Sequence, residues 1–444
     1  MAYRVAIQTL TEEQRKSIVK MLTLTPKVEY FDASRQKPPP IKFFIVENGY
    51  LSIPYTFAAS FFNMIPNIDN PFKQCDYKLT GTLREHQITI VQEAKEQLNN
   101  TGGCGLYIQT GGGKSFMSAA LASHYQLLTV VLVTNITLIE QWKTTFTTYT
   151  TAKVWVVGEM MPPAYDVIVC MDTRYQKIPL SIRQQVGTMI VDEADVFCTP
   201  SRVGCLLGFY PMYMLVVTAT PERDDDMHQM LYAIAGTHGI YRTSNNPFHV
   251  TKLLTHTSVT RKLTQRKKTD YGKLQKDVLF DPRRNDIIVN IVKHNTNNIL
   301  ILTSLVNHVA LLYDRIKVFE PSCDTMCGKK SSYNDCRVLV GSTQKVGRGF
   351  DQETFCKNYQ GNRFDLLILC FSIKKYQVLT QNVGRVLRAI SPHVIHFVDE
   401  DGIFTNHWQK CQQWYKNRKA IITMHHVKQE VIDMNSNVLK SDLI

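Results

Sequence analysis

From about Leu83 onward, short apolar runs alternate with stretches of helical periodicity. Gly105–Gln109 precedes a helical pattern over Ser115–His124, Leu127–Thr134 precedes Leu138–Tyr149, and Val167–Cys170 precedes Leu180–Gln185. Thr188–Val191 and Met214–Thr218 complete the series. Runs this short, apolar throughout and separated by helices, predict a parallel, doubly wound sheet buried on both faces. After residue 285 the rhythm returns. Strands are predicted at Ile299–Thr303, Arg337–Gly341, Leu366–Cys370 and Val394–Val398, with helices over Val306–Val318 and Val378–Ala389. The pattern is that of two α/β domains in tandem, at 81–245 and 246–420, followed by a tail at 421–444.

Two stretches break the rhythm. Residues 1–80 carry Pro38–Pro40 and an aromatic-rich run from Tyr50 to Phe72 but no phosphate motif. They read as a small accessory domain, dispensable for the chemistry and relevant to substrate choice. Residues 244–285 hold the basic pairs and triplets Arg261-Lys262 and Arg266-Lys267-Lys268 and the turn Asp281-Pro282, which predicts a linker. Trp408, Trp414 and Tyr415 share a final helix and read as packing residues.

Composition narrows the class. A 444-residue chain with 44% hydrophobic content can bury two or three cores. Its net charge of +13 suits an acidic partner, nucleic acid above all. Eleven cysteines without a repeated CxxC pair fit free thiols in a reducing compartment rather than a zinc site. The first residues, MAYRVAIQTLTEEQRK, carry charges where a signal peptide needs its apolar segment. No apolar run approaches the roughly 18 residues a membrane span requires. The expectation is an intracellular, soluble protein with no membrane partner.

The chemistry begins at Gln109-Thr110-Gly111-Gly112-Gly113-Lys114-Ser115, between a predicted strand and a predicted helix. Thr110 and the three glycines can turn backbone N–H groups toward phosphate oxygens, and the helix N-terminus adds its positive dipole end. Lys114 would reach the β- and γ-phosphates and the Ser115 hydroxyl would hold Mg²⁺. The strict motif has glycine where this chain has Ile108. About 80 residues on, Met189-Ile190-Val191 runs into Asp192-Glu193-Ala194-Asp195. An acidic residue ending a neighbouring strand is the second half of such a site. Asp192 would hold Mg²⁺ and Glu193 would act as general base on the attacking water.

These motifs resemble the superfamily 2 helicases, over about residues 83 to 400 and in the order of that family. Leu83-Arg84-Glu85-His86-Gln87 looks like the element whose Arg84 and Gln87 touch adenine. Leu132-Val133-Thr134-Asn135, with Gln141-Trp142 after it, looks like the strand-contacting motif Ia. Thr218-Ala219-Thr220-Pro221-Glu222-Arg223 looks like motif III, and Ile301-Leu302-Thr303-Ser304 like motif IV. Gly347-Arg348-Gly349-Phe350-Asp351 looks like motif V, with Arg348 where relatives often carry a small residue. Gln381-Asn382-Val383-Gly384-Arg385-Val386-Leu387-Arg388 looks like motif VI. TATPER, LRxxQ and VGRGFD are closer to the XPB/UvsW-like branch than to the DEAD-box proteins. Length and layout resemble the poxvirus-type transcript-release helicases of large DNA viruses.

The resemblance implies two RecA-like domains, ATP and Mg²⁺ as cofactors, and movement along a nucleic-acid strand, 3′ to 5′. It implies that Gly349 and Asp351 belong to the nucleotide site. Gln381, Arg385 and Arg388 would act from the second domain, both arginines on one helix face as arginine fingers. Thr218 and Thr220 would couple hydrolysis to movement, and Thr134, Asn135, Thr303 and Ser304 would touch the strand. The implied partner is DNA, whether single-stranded, duplex or branched, with RNA or an RNA–DNA hybrid as the alternative and viral transcription or replication proteins as company. If the chain is viral, a cytoplasmic replication site and the virion are its expected locations. The rival class is a nucleic-acid-binding scaffold with a weak ATPase.

Overall fold

The computed structural model describes residues 2–27, 38–63, 72–242, 247–263, 269–347 and 350–427. It divides into two compact units, Met1–Thr243 and Ser244–Ile444. Among the described residues no helix is long and apolar enough to cross a membrane. The basic triplet Arg266-Lys267-Lys268, and motif V residues Arg348 and Gly349, lie outside the described residues.

Unit 1 opens with β1 (Ala2–Ala6), α1 (Glu12–Met21), β2 (Ile45–Glu47), β3 (Tyr50–Pro54) and α2 (Tyr55–Phe62). The three strands form an antiparallel sheet in the order β1–β3–β2. The α/β series then runs α3 (Glu85–Thr101), β4 (Gly103–Ile108), α4 (Lys114–Tyr125), β5 (Thr129–Val133) and α5 (Ile136–Tyr149). It continues through β6 (Val154–Val156), β7 (Val167–Met171), β8 (Thr188–Asp192), β9 (Tyr213–Thr218), α6 (Gln229–Ala235) and β10 (Gly239–Arg242). Seven parallel strands lie in the order β10–β4–β9–β8–β5–β7–β6. Every residue of β4, β5 and β8 is buried, which is why these strands read as unbroken apolar runs.

The expected separation of residues 1–80 does not hold. Leu51, Ile53, Tyr55 and Tyr77 share one continuous core with the strands of the parallel sheet. The start of α2 sits against the root of the phosphate strand: a Cβ on Gly102 would lie 2.6 Å from the Tyr55 ring, and one on Gly103 would lie 2.5 Å from Thr56 Oγ1. Thr56 Oγ1 donates to the Ile234 carbonyl of α6 at 2.5 Å, and the Tyr77 hydroxyl pairs with Thr129 Oγ1 at 2.9 Å. The N-terminal segment buttresses β4 and α6, a role that carries no motif.

Unit 2 holds β11 (His249–Leu254), α7 (Pro282–His294), β12 (Ile299–Thr303), α8 (Val306–Lys317), β13 (Asp324–Met326) and β14 (Val338–Ser342). It ends with β15 (Leu366–Leu369), α9 (Tyr376–Val383), β16 (His393–Val398), α10 (Gly402–Asn417) and β17 (Ile421–His426). Its seven parallel strands lie in the order β13–β14–β12–β15–β16–β11–β17. Two expectations change here. β11 falls inside the stretch read as a linker, because Thr251 and Lys252 interrupt its apolar pattern. β17 falls where a tail was expected, and it is an edge strand with mostly exposed side chains. Trp408, Trp414 and Tyr415 are buried on α10, as expected. A buried ion pair ties α7 to the end of β16: Arg284 Nε donates to Asp399 Oδ1 at 2.8 Å, and Thr255 Oγ1 donates to the same oxygen at 2.6 Å.

The shared core makes truncation costly. Fully burying one large apolar side chain contributes about 1.5–3 kcal/mol, against a total stability of about 5–15 kcal/mol. A chain beginning at Asp76 loses the side chains that cover β4 and α6. It is expected to unfold at least about 10 °C below the full chain, or to aggregate. Thermal unfolding by circular dichroism measures this, and an unchanged midpoint for unit 1 contradicts the shared core.

Candidate active site

The loop between β4 and α4 is built by its glycines. Gly111 and Gly113 have φ of 87° and 83°, a region that side chains disfavour. A Cβ on Gly113 would lie 2.3 Å from Gln87 Nε2, and one on Gly112 would lie 2.5 Å from Ile108 Cγ2. The second contact accounts for the departure from the strict motif, since Gly112 makes room for the isoleucine. The first brings the adenine-type element onto the phosphate loop. Gln87 is buried, and its Oε1 accepts from the Arg84 N–H at 3.0 Å, while the Arg84 side chain is exposed. Lys114 Nζ donates to the carbonyls of Ile108 at 2.9 Å and Gln109 at 3.3 Å, so the ammonium lies over the loop. Thr110, Gly112, Gly113 and Ser115 are half-buried and Gly111 is exposed.

Strand order corrects one expectation. β8, which ends in Asp192, is not the neighbour of β4; β9 lies between them. Asp192 pairs with Val217, and Thr218 pairs with Tyr107 on the other side of β9. Parallel strands share their C-terminal edge, so the phosphate loop, Thr218 and Asp192 line one edge of the sheet.

Asp192 is buried. Its Oδ2 accepts from Trp142 Nε1 at 2.8 Å and its Oδ1 from the Glu193 N–H at 2.9 Å. Burial, with Glu193 next to it, pushes its carboxyl up to about 6; the Trp142 donor and Lys114 pull the other way. Glu193 itself is left-handed, with φ of 49°, and its Oε2 is buried with no hydrogen-bond partner among the described residues. Asp195, also buried, accepts from Thr218 Oγ1 at 2.8 Å, and Thr218 Oγ1 in turn accepts from the Thr220 N–H at 3.1 Å. Arg223 closes the cluster, donating to the Asp195 carbonyl at 2.6 Å and pairing with Asp225.

These residues fit a magnesium nucleotide. The loop could not carry side chains at Gly112 or Gly113. Lys114 Nζ lies over the loop carbonyls, and a carboxylate and a hydroxyl, Asp192 and Ser115, are hard oxygen donors of the kind Mg²⁺ takes.

The strand-contact residues are mixed. Thr134 and Asn135 follow β5 on the same sheet edge, and Asn135 Oδ1 caps α5 by accepting from the Leu138 N–H at 2.9 Å. Trp142, which follows these residues, is fully buried and holds Asp192. Thr303 does not fit its expected part. Its hydroxyl is buried and paired with His308 Nδ1 at 2.7 Å, and His308 Nε2 pairs with Asn285 Oδ1 at 2.9 Å. Burial and nearby Arg284 lower the His308 pKa to about 3, so this network is neutral. Ser304 beside it is half-buried.

Motif VI is not wholly helical. α9 ends at Val383, and Gly384 to Ala389 continue in tighter turns, with Arg385 N donating to Asn382 O and Ala389 N to Val386 O. Gln381 is buried. Arg385 donates to the carbonyls of Gly347, at 2.5 Å, and Phe350. Arg388 forms an ion pair with Asp351. Burial would raise the Asp351 carboxyl, but Arg388 and the N–H groups of Glu353 and Thr354 hold it below its ordinary value.

Trp142 had no role in the motif reading, and its contact with Asp192 is testable. A hydrogen bond to a charged group contributes about 1.5–3 kcal/mol. Trp142→Phe is expected to lower stability by about that much in denaturant unfolding, and by clearly less in an Asp192→Ala background. Equal losses in both backgrounds would reduce Trp142 to a packing residue.

A family model described as "Type III restriction enzyme, res subunit" matches residues 80–223. The chain is 24% identical over 411 residues to the candidate helicase 161L of Invertebrate iridescent virus 6, covering 85% of this chain and 90% of that protein. It is 21% identical over 344 residues to the transcript termination protein A18 of Yaba-like disease virus, covering 68% of each. It is 29% identical over 165 residues to the DNA 3′-5′ translocase XPB2 of Sulfurisphaera tokodaii, covering 36% of each. Among solved structures, a fragment of an HsdR subunit of a type I restriction enzyme from Vibrio vulnificus matches with a TM-score of 0.55 at 13% identity, covering 79% of this chain and 69% of that one. That likeness shows the fold, and with it the two parallel sheets are RecA-like domains in tandem. The relatives and the phosphate-binding edge together support a superfamily 2 helicase of the viral type, a nucleic-acid-dependent ATPase.

Proposed function

We propose that the chain couples ATP hydrolysis to 3′-to-5′ movement along DNA and remodels duplexes as it moves, in viral transcription termination, replication or recombination. The observation that carries the chemical part is the pair at the end of β8. Asp192 is buried and held by Trp142, and Glu193 next to it keeps one buried oxygen unpaired. A carboxylate oxygen with no partner among the described residues, on the same sheet edge as the phosphate loop, supports a role in taking a proton from water.

The backbone of Gly111 to Gly113 and the ammonium of Lys114 bind and orient phosphate oxygens. Ser115 and Asp192 would hold Mg²⁺. When bound, magnesium ATP supplies the anhydride to be cleaved and the charge that steadies it. Glu193 orients a water and accepts its proton. Arg385 and Arg388, by the family resemblance, would supply fixed cations as charge develops. Thr218 ties the strand between loop and carboxylate to Asp195, so a shift at the Mg²⁺ residues reaches Thr220 and the strand-facing loops.

The DNA substrate and its polarity draw support from the translocase relative, whose name carries both. The transcriptional role draws on the viral transcript termination protein. Thr134, Asn135 and Ser304 are the proposed strand contacts, and they touch phosphates rather than bases.

The separate roles of Lys114 and Glu193 give the test. Lys114→Ala is expected to weaken ATP binding and abolish turnover. Glu193→Gln is expected to lower kcat by about 10² or more, the size of a lost general base, while still binding a fluorescent ATP analogue. Near-normal turnover in Glu193→Gln removes the base assignment.

A further inference from the structure

The N-terminal segment meets the rest of unit 1 at a second place, away from β4 and α6. Thr23–Leu24 and Ile41–Lys42 form a short antiparallel pair. Leu22, Leu24, Ile41 and Phe43 are buried in the unit 1 core, so the pair is anchored. Three residues past Leu24, the Lys27 N–H donates to the Asp225 carbonyl at 2.9 Å, and Lys27 Nζ lies 3.5 Å from Asp226 Oδ2. The ion pair is exposed and contributes little. The backbone bond holds the chain itself, and it closes on the loop that follows Thr218-Ala219-Thr220-Pro221.

That loop is organised around one carboxylate. Asp225 Oδ1 accepts from Arg223 Nε at 2.8 Å, and its Oδ2 accepts from Arg223 Nη2 at 2.5 Å. Oδ1 also accepts from the Met227 N–H at 3.1 Å. A bidentate fork fixes the guanidinium in direction as well as in place. The remaining arm, Nη1, donates to the Asp195 carbonyl at 2.6 Å, and Asp195 in turn holds Thr218. Asp226 is left-handed, with φ of 58°, a conformation uncommon outside glycine that its neighbours must hold. One chain of contacts therefore runs from Lys27 through Asp225 and Arg223 to Asp195. It joins a segment without a phosphate motif to the turn that carries Asp192 and Glu193.

We propose that Arg223, Asp225 and the Lys27 backbone are positioning residues for ATP hydrolysis, and that through them the N-terminal segment sets the turnover rate as well as the stability of unit 1. This rests on the ATPase reading above. The three fix the Asp195–Thr218 link behind Asp192 and Glu193. None of their described hydrogen bonds reaches Gly111–Ser115, so breaking the chain of contacts leaves ATP binding as it was and disturbs the geometry of the hydrolytic step.

The test is steady-state ATP hydrolysis by the full chain with saturating single-stranded DNA, run well below the thermal midpoint of each variant, beside binding of a fluorescent ATP analogue. Asp225→Asn keeps the shape of the fork's partner and loses its charge; it should lower kcat about tenfold with analogue binding unchanged. Arg223→Lys, which keeps the charge and loses the fork, should match it. Lys27→Ala should behave like the unaltered chain, whereas Lys27→Pro, which removes the N–H donor, should lower kcat about threefold. Lys27→Pro should add no further loss in an Asp225→Asn background, because both break one chain of contacts. Leu24→Ala, which loosens the anchored pair without touching the loop, gives the same comparison by a milder change. A mere brace would lower the thermal midpoint and leave kcat unmoved. Near-normal kcat in both Asp225→Asn and Arg223→Lys therefore overturns the proposal. If the losses from Asp225→Asn and from either N-terminal variant multiply, the part given to the N-terminal segment is overturned. An unaltered chain with no DNA-stimulated turnover would instead overturn the ATPase reading beneath the proposal.

Discussion

The active edge of unit 1 depends on keeping a carboxylate buried at the end of a parallel strand. Desolvation disfavours an ionised Asp192, and an adjacent glutamate disfavours it further. Trp142 and the Glu193 N–H offset part of that cost. The rest of the edge answers the same constraint. Lys114 lies over the loop two strands away, and a cation there would favour the charged form. Thr218, on the strand between, is bonded to Asp195 rather than left to water. A carboxylate kept this way is poised for a divalent cation, because binding one relieves the burial cost that the protein alone only partly offsets.

Unit 2 solves a different problem, that of holding arginines without wasting them. A guanidinium in water is solvated and mobile. Here Arg385 is spent on two backbone carbonyls and Arg388 on one exchangeable carboxylate. Behind them a polar network of Thr303, His308 and Asn285 and the buried Arg284–Asp399 pair fix the ends of β12 and β16. The two units thus share a sheet architecture, with buried carboxylates after β8 in one and the arginines after α9 in the other.

How much of this could be read from residues alone follows from what each feature depends on. The phosphate loop and the strand into Asp192 were legible, because glycine conformation and unbroken apolar runs are local properties. The role of Trp142 was not, since its contact with Asp192 spans 50 residues and no local pattern marks it. β11 was missed because Thr251 and Lys252 disturb its pattern, although its partners on both sides bury most of it. The arginine spacing suggested one helix face, but the glycine before Arg385 ends α9 and turns the chain more tightly. The core shared by residues 1–80 was illegible for another reason: packing between distant apolar segments leaves no periodic trace.

The central claim is that ATP turnover at the Asp192 edge is driven by a nucleic-acid strand. Its most direct measurement is phosphate release by the full chain with magnesium ATP, alone and with single-stranded DNA, duplex DNA, single-stranded RNA or an RNA–DNA hybrid. The account predicts slow release alone, a clear rise with single-stranded DNA, and a smaller rise with RNA. A rate that is the same in all five conditions would contradict it.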